Sequence, residues 1–263
     1  METLLIQANA KINLDFKILG KKPDGYHKIK SLVQSIDLAD FLLFRKTKKD
    51  SFTGSMVCPE SENIILKAKK ILEKTLNKKL ACQIHLQKVI PIAAGLGGGS
   101  ADAAATLAAL NRLYNLNLSQ KKLAEIGIKI GADVPFFLYG GTCQTEGVGE
   151  KITPQQKELP KFFVLFRPHK RVETKLIYKL YDKTGKNFLE LNRKICPEIK
   201  KLERYLKGLK LEPKLSGSGP TIFTGVNSYR LAKEIAEGYY QNFDGDIFIC
   251  RPQKEALKIW KIL

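Results

Sequence analysis

Pro91-Ile92-Ala93-Ala94-Gly95-Leu96-Gly97-Gly98-Gly99-Ser100-Ala101-Asp102 decides how this chain is read. Before it, Cys82, Ile84 and Leu86 alternate with Gln83, His85 and Gln87, the period-two pattern of a strand with one wetted face. After it, the run Ala103–Leu113 is alanine-rich and predicts a helix. Glycine at 95, 97, 98 and 99 permits backbone geometry that a side chain forbids. Ser100 is expected to cap the helix, whose free N–H groups and positive dipole end then face the loop. Strand, glycine loop and helix N-terminus in that order hold a phosphate by backbone amides. The loop is no Walker A sequence, because Ser100-Ala101 stands where Lys-Ser/Thr would follow, and no G-x-G-x-x-G register fits its glycines. A plain tight turn is the competing reading, and so many glycines directly before a helix favour the phosphate site.

Outward from this loop the composition is that of a folded protein. The 263 residues are 44% hydrophobic and 27% charged, which excludes a disordered or collagen-like chain. No apolar run approaches the roughly 18 residues of a membrane span, and the start does not read as a secretion signal. The five cysteines (58, 82, 143, 196 and 250) form no Cys-x-x-Cys pair, so neither a disulfide framework nor a zinc site is expected. A cytoplasmic protein with reduced thiols and no metal cage is the expectation.

The net charge of +19 raises nucleic acid as a partner. The spacing opposes it. Along 64–74 and again around Ile199, Leu202, Tyr205 and Leu206, apolar residues recur at helical intervals with basic residues opposite, as on a solvated face. No aromatic-interleaved basic strand is present.

Ser119 is expected to cap a helix running through Leu123 and Ile126 to a stop at Gly131. Residues 151–161 are polar and proline-bracketed, a candidate linker. Beyond it, strands near 162–167, 214–225 and 247–250 and helices near 173–181, 197–207 and 228–241 complete a second unit. The chain therefore divides into lobes 1–153 and 154–263 of class α+β. Between two strands of the second lobe, Ser216-Gly217-Ser218-Gly219-Pro220-Thr221 is a small-residue loop suited to closing over a phosphate or to a plain turn.

With Ala8-Asn9-Ala10-Lys11-Ile12-Asn13-Leu14, these two loops resemble the three ordered motifs of the GHMP small-molecule kinases. Asp24-Gly25-Tyr26-His27, Gln34-Ser35-Ile36-Asp37-Leu38-Ala39-Asp40 and Gly131-Ala132-Asp133-Val134-Pro135-Phe136-Phe137-Leu138 narrow the resemblance to the branch acting on 4-diphosphocytidyl-2-C-methyl-D-erythritol. That likeness spans essentially the whole chain. It implies a two-lobed fold, the first lobe like ribosomal protein S5 domain 2 and the second ferredoxin-like. It also implies transfer of phosphoryl from ATP with Mg²⁺ to the substrate 2-hydroxyl, in the methylerythritol phosphate route to isoprenoids.

By the same resemblance Asp133 is the general base and Lys11 its partner, with Asn13 beside them. Tyr26, His27, Thr174 and Tyr178 meet the cytidyl end of the substrate. Pro91, Ile92, Ala93, Ala94, Gly95, Leu96, Gly97, Gly98, Gly99, Ser100 and Ala101 wrap the ATP phosphates with Gly217 and Ser218. Lys88 offsets phosphate charge and Asn63 touches adenine. Read without the resemblance, Asp133 is a turn residue, Asn63 a helix cap and Tyr178 a core aromatic. No metal ligands are assigned, no nucleic acid or membrane is expected, and the oligomeric state is left open. His85 and His169 read as structural or solvated. Asn9 stands where the family has proline, which suggests a loosened strand edge. Asn187-Phe188-Leu189-Glu190 follows a shortened segment, so the second lobe is expected to lack a helix. A GHMP kinase for another small alcohol, or an S5-like nucleic-acid binder, remains as the alternative.

Overall fold

The computed structural model describes residues 2–55 and 58–262. Its frame is a long antiparallel hairpin of β1 (Thr3–Lys21) and β2 (His27–Lys46), closed by a short turn at 22–26. Strands this long survive by serving different neighbours along their length. The last part of β2 pairs with β4 (Cys82–Gln87), and its first part pairs with β5 (Thr142–Gly147), itself joined to β6 (Lys151–Pro154). β3 (Ser51–Gly54) lies parallel to β4 at one edge, and β11 (Leu257–Ile262) pairs antiparallel with Thr3–Ala8 at the other. β4 buries Cys82, Ile84 and Leu86 and exposes the residues between, as the alternation predicts.

Four helices cover the inner face of this sheet: α1 (Ile64–Leu76), α2 (Gly98–Leu113), α3 (Gln120–Gly127) and α4 (Val134–Tyr139). α2 is central and touches β1, α1 and α4. It buries Ala101, Ala103, Ala104, Ala105 and Ala109, small side chains that let helix and sheet backbones come close on several sides at once. α1 buries Ile65, Ala68 and Leu72 on the expected stripe; Lys69 breaks the pattern, because Asp50 (2.8 Å) and Glu73 (2.9 Å) satisfy its ammonium inside. Ser119 caps α3 by accepting from the Lys122 N–H.

The second sheet contains β7 (Phe162–Arg167), β8 (Lys214–Leu215), β9 (Ile222–Val226) and β10 (Asp246–Cys250), ordered β10-β7-β9-β8 and all antiparallel. Between β7 and β8 come α5 (Thr174–Thr184), α6 (Phe188–Ile195) and α7 (Glu198–Gly208), and between β9 and β10 comes α8 (Tyr229–Asn242). That strand order with helical crossovers is the ferredoxin-like arrangement. Ala10, Ile12, Ile36, Ile90, Ala94 and Leu96 of the first lobe pack on Phe163, Leu165, Phe223 and Cys250 of the second, so a shared apolar seam fixes one against the other.

Several expectations are corrected here. The second lobe is not 154–263, because β11 crosses back into the first sheet. The segment 151–161 is not all linker, since its first four residues are β6. A helix does follow the shortened segment: Asn187 caps α6, accepting from the Glu190 N–H, while its side-chain amide donates to the Glu190 carboxylate at 2.9 Å. Asn9 loosens no edge. It is fully buried between β11 and β2, and its N–H and side-chain amide donate to the Ala256 and Glu255 carbonyls.

Candidate active site

Alternation along β1 puts Lys11 and Asn13 on the same side of the strand, facing the gap between the lobes. Lys11 is 4% exposed, and its ammonium donates to Asn13 Oδ1 at 2.6 Å. Asn13 Nδ2 donates in turn to Ser31 Oγ (2.7 Å), and Ser31 Oγ to the Asp15 carbonyl (2.6 Å), so the lysine is aimed by a chain of polar groups rather than by one contact. Asp133 immediately precedes α4, where Pro135 occupies an early position that needs no N–H. Its carboxylate makes no capping bond, and Oδ2 lies 3.6 Å from Lys11 Nζ. The aspartate is thus a helix-entry residue whose side chain faces the cleft rather than its own backbone.

The glycine loop lies over this pair. Gly95 and Gly97 have φ of 75° and 73°. A Cβ on Gly95 would run into the Ser216 carbonyl, and one on Gly97 would come 2.7 Å from the Phe137 ring. Ser216 Oγ donates to the Gly95 carbonyl (3.0 Å), which joins the loop to the small-residue loop of the second lobe. Gly217 lies so near Lys11 and Asn13 that an added Cβ would be 3.2 Å from the ammonium. The helix begins earlier than expected: Gly97 occupies the cap position in left-handed geometry, and Ser100 is the third residue of α2. Ala101 is fully buried and donates its N–H to the Gly97 carbonyl, so it lies beneath the loop and contributes no surface to the cleft.

Lys88 is not free to reach a phosphate. Its ammonium is held by Asp40 and by Asp102 Oδ2 (2.9 Å), both carboxylates being buried. Asp40 also accepts the N–H groups of Val89 (2.6 Å) and Ile90 (2.8 Å), so this group fastens the entry of the glycine loop to β2 and its exit to α2. Burial disfavours the Lys88 ammonium, but Asp102 and Asp40 outweigh it and hold its pKa above the usual lysine value. Burial, opposed by Lys88 and reinforced by Asp40, pushes the Asp102 carboxyl up to about 8, and its Oδ1 has no hydrogen-bond partner.

At the far end the cleft is aromatic. Tyr178 on α5 is pressed edge-on against Phe188 (centroids 4.9 Å apart), and the His27 ring stands over it at 4.9 Å with a 34° tilt. Burial, reinforced by the Asp133 charge, raises the Tyr178 phenol above its ordinary pKa. Tyr26, on the hairpin turn, is 63% exposed. Thr174 Oγ1 and Ser218 Oγ are hydrogen-bonded at 2.8 Å, linking the start of α5 to the second glycine loop. Asn63 caps α1 by accepting from the Ile65 N–H and lines the cleft as well, so the cap and the site are one residue.

The catalytic pair, the glycine loop and the aromatic end border one cleft of about 860 Å³, and every residue anticipated for the site lines it except Ala101. Among the described residues no cluster of three metal-ligating side chains occurs, and no helix is long and apolar enough to cross a membrane. Sequence reasoning missed Asp40, Asp102 and Asp182. Each acts through a partner that no short-range pattern links to it; Asp40 and Asp102 each close a quoted stretch, and Asp182 lies in none.

The GHMP kinases N-terminal domain family matches residues 63–141, the stretch carrying the glycine loop and Asp133. The 4-diphosphocytidyl-2-C-methyl-D-erythritol kinase of Carboxydothermus hydrogenoformans is 40% identical, over 95% of this chain and 96% of that protein. The chain belongs to the 4-diphosphocytidyl-2-C-methyl-D-erythritol kinase family. The enzyme of the same name from Clostridium tetani is 39% identical over 87% of this chain and 92% of its own. A crystal structure of 4-(cytidine 5'-diphospho)-2C-methyl-D-erythritol kinase superposes with a TM-score of 0.78 at 28% identity, covering 94% of this chain and 98% of that one. A homoserine kinase from Cytophaga hutchinsonii shares the fold (TM-score 0.76) at 17% identity. Membership of the 4-diphosphocytidyl-2-C-methyl-D-erythritol kinase family makes the chain an ATP-dependent small-molecule kinase with the GHMP fold.

Proposed function

We propose that this chain transfers the γ-phosphoryl group of ATP to the 2-hydroxyl of 4-diphosphocytidyl-2-C-methyl-D-erythritol, giving the 2-phosphate and ADP. The observation that carries this is the placement of Lys11 and Asp133, 3.6 Å apart, between a glycine loop at one end of the cleft and aromatic residues at the other, in a chain of this family. Phosphoryl transfer asks the protein mainly for alignment and charge compensation. The substrate oxygen attacks the γ-phosphorus as the bond to the β–γ bridging oxygen breaks, and the hydroxyl proton passes to the Asp133 carboxylate. Lys11, fixed through Asn13 and Ser31, places a positive charge where the oxygen becomes anionic.

The loop fits a polyphosphate on its own geometry. Gly97 at the cap and Gly98 and Gly99 in the first turn of α2 place no side chain between the backbone and the cleft, so N–H groups and the helix dipole converge on it. Magnesium commonly keeps several waters and takes its anionic ligands from the nucleotide. That coordination suits a cleft whose phosphate-holding residues are Gly97 to Ser100, and the ion would neutralise charge on the transferring phosphoryl oxygens.

The cytidine belongs at the aromatic end. A base stacked on an aromatic side chain is worth about 1–3 kcal/mol, so Tyr178→Ala is expected to raise the KM for the cytidyl substrate roughly 5- to 150-fold while kcat and the KM for ATP hold. Unchanged substrate KM in that variant would return Tyr178 to the core. The reading as a whole is tested by ADP release with Mg²⁺ and ATP, comparing the cytidyl substrate with mevalonate, homoserine and galactose. Turnover confined to the cytidyl substrate supports it; turnover only with another alcohol keeps the kinase and removes the cytidine assignment.

A further inference from the structure

At the mouth of the aromatic end, Asp182 on α5 reaches across the cleft to the hairpin of the first lobe. Oδ1 lies 2.7 Å from His27 Nε2 and Oδ2 2.6 Å from Lys21 Nζ, contacts spanning 155 and 161 residues of chain. The His27 side chain is 7% exposed, held between the Tyr178 face and the edge of Tyr181 (centroids 5.8 Å apart). An ionised carboxylate can only accept, so the nitrogen facing it must carry the hydrogen. Lys21, and then His27, donate to Asp182 and hold its carboxyl below the usual aspartate range, so it accepts at neutral pH. In neutral imidazole the other nitrogen, Nδ1, is then left with a bare lone pair.

We propose that Asp182 is a positioning residue for nucleobase recognition, fixing His27 as the Nε2–H tautomer so that Nδ1 accepts from the exocyclic amine of cytosine and disfavours the carbonyl at the same position of uracil. This deepens the function proposed above, since it rests on a cytidyl group lying against His27. Lys21 donates to the second oxygen and so holds the carboxylate in the orientation that meets His27. Asp182 touches neither the reacting hydroxyl nor the nucleotide phosphates; its effect is on which base is accepted.

The test combines competition binding, kinetics and a spectroscopic readout on the full chain, with Asp182→Asn and Asp182→Ala. Asparagine can present either a donor or an acceptor to Nε2, so the tautomer is released although the shape is kept. In the wild type, CDP should compete roughly tenfold better than UDP for the substrate site, the worth of one good hydrogen bond against a mismatched one. In both variants that ratio should fall to about two or less, with kcat at saturating substrate and the KM for ATP unchanged. The chain has three histidines, so nitrogen-15 spectra of histidine-labelled protein can resolve His27. They should show the Nε2–H form in the wild type and a mixture in Asp182→Asn. A wild type indifferent to CDP and UDP, or variants that keep the ratio and the tautomer, overturns the proposal. A wild type that fails to phosphorylate the cytidyl substrate yet binds CDP in preference to UDP, with the preference lost in the variants, overturns the kinase assignment and leaves the role of Asp182 standing.

Discussion

Asp133→Asn is expected to fold as the wild type does and to turn over roughly 10²–10⁴-fold more slowly, the usual contribution of a positioned proton acceptor. The two halves of that expectation have separate grounds. Stability is largely spared because the side chain is 49% exposed and makes no capping bond to α4, and the Lys11 ammonium keeps its hydrogen bond to Asn13 Oδ1. Turnover should not be spared, because an amide is too weak a base to take the hydroxyl proton and the Lys11 ammonium beside it has no lone pair to accept one. The loss should fall on kcat, with the KM for ATP little changed, since the glycine loop is untouched. Near-normal kcat in a variant with an unaltered thermal midpoint would remove Asp133 from the role of base.

The largest effect on stability is expected at Lys88. Lys88→Met leaves the buried Asp40 carboxylate without its cation and Asp102 without its hydrogen-bond partner, and breaking a buried ionic group in this way costs about 3–5 kcal/mol. Chemical denaturation should show that loss in full, and Asp40→Asn with Asp102→Asn in the same chain should recover much of it. A loss under about 1 kcal/mol would mean that the three groups are not coupled as the structure places them. The same group sets a pH dependence. The Asp102 carboxyl rises from its ordinary 3.8 to about 8 on folding, so the folded protein holds a proton there that the unfolded chain releases. Its contribution to stability is complete below pH 3.8 and declines as the pH rises through about 8. Asp102→Asn should flatten that part of the profile, and a slope surviving the substitution must come from other groups.

What the sequence discloses and what it hides divide along physical lines. β4, α1, α3 and the glycine-loop helix are legible because their signals are local: a period of two or of 3.6, a serine at a cap, glycines before alanines. The cap at Asn187 is equally local, and the Asn187-x-x-Glu190 spacing announces α6 despite the shortened segment before it. Lys11, Asn13 and Asp133 are recognisable as a set only through their resemblance to a family, since a strand lysine and a turn aspartate have no period of their own. The group of Asp40, Lys88 and Asp102, and the bridge from Asp182 to His27, carry no short-range signature at all. Their partners meet only when strands and lobes are assembled, and an acidic residue reads the same in sequence whether it ends in water or against a buried lysine. The position of β11 is hidden for the same reason, because an amphipathic strand does not state which edge it will cover.

That last strand bears on how the molecule is made. The first six paired residues of β1, Thr3 to Ala8, gain their outer neighbour only from residues 257–262, and Asn9 takes its backbone partner from Ala256. A nascent chain extended only as far as the ferredoxin-like lobe therefore still shows the ribosome's surroundings an unpaired edge on the strand that leads into Lys11. Folding from the N-terminus can build the hairpin and its helices early, but cannot close that edge. Competence for catalysis should thus arrive abruptly, when the returning strand seats itself beside β1.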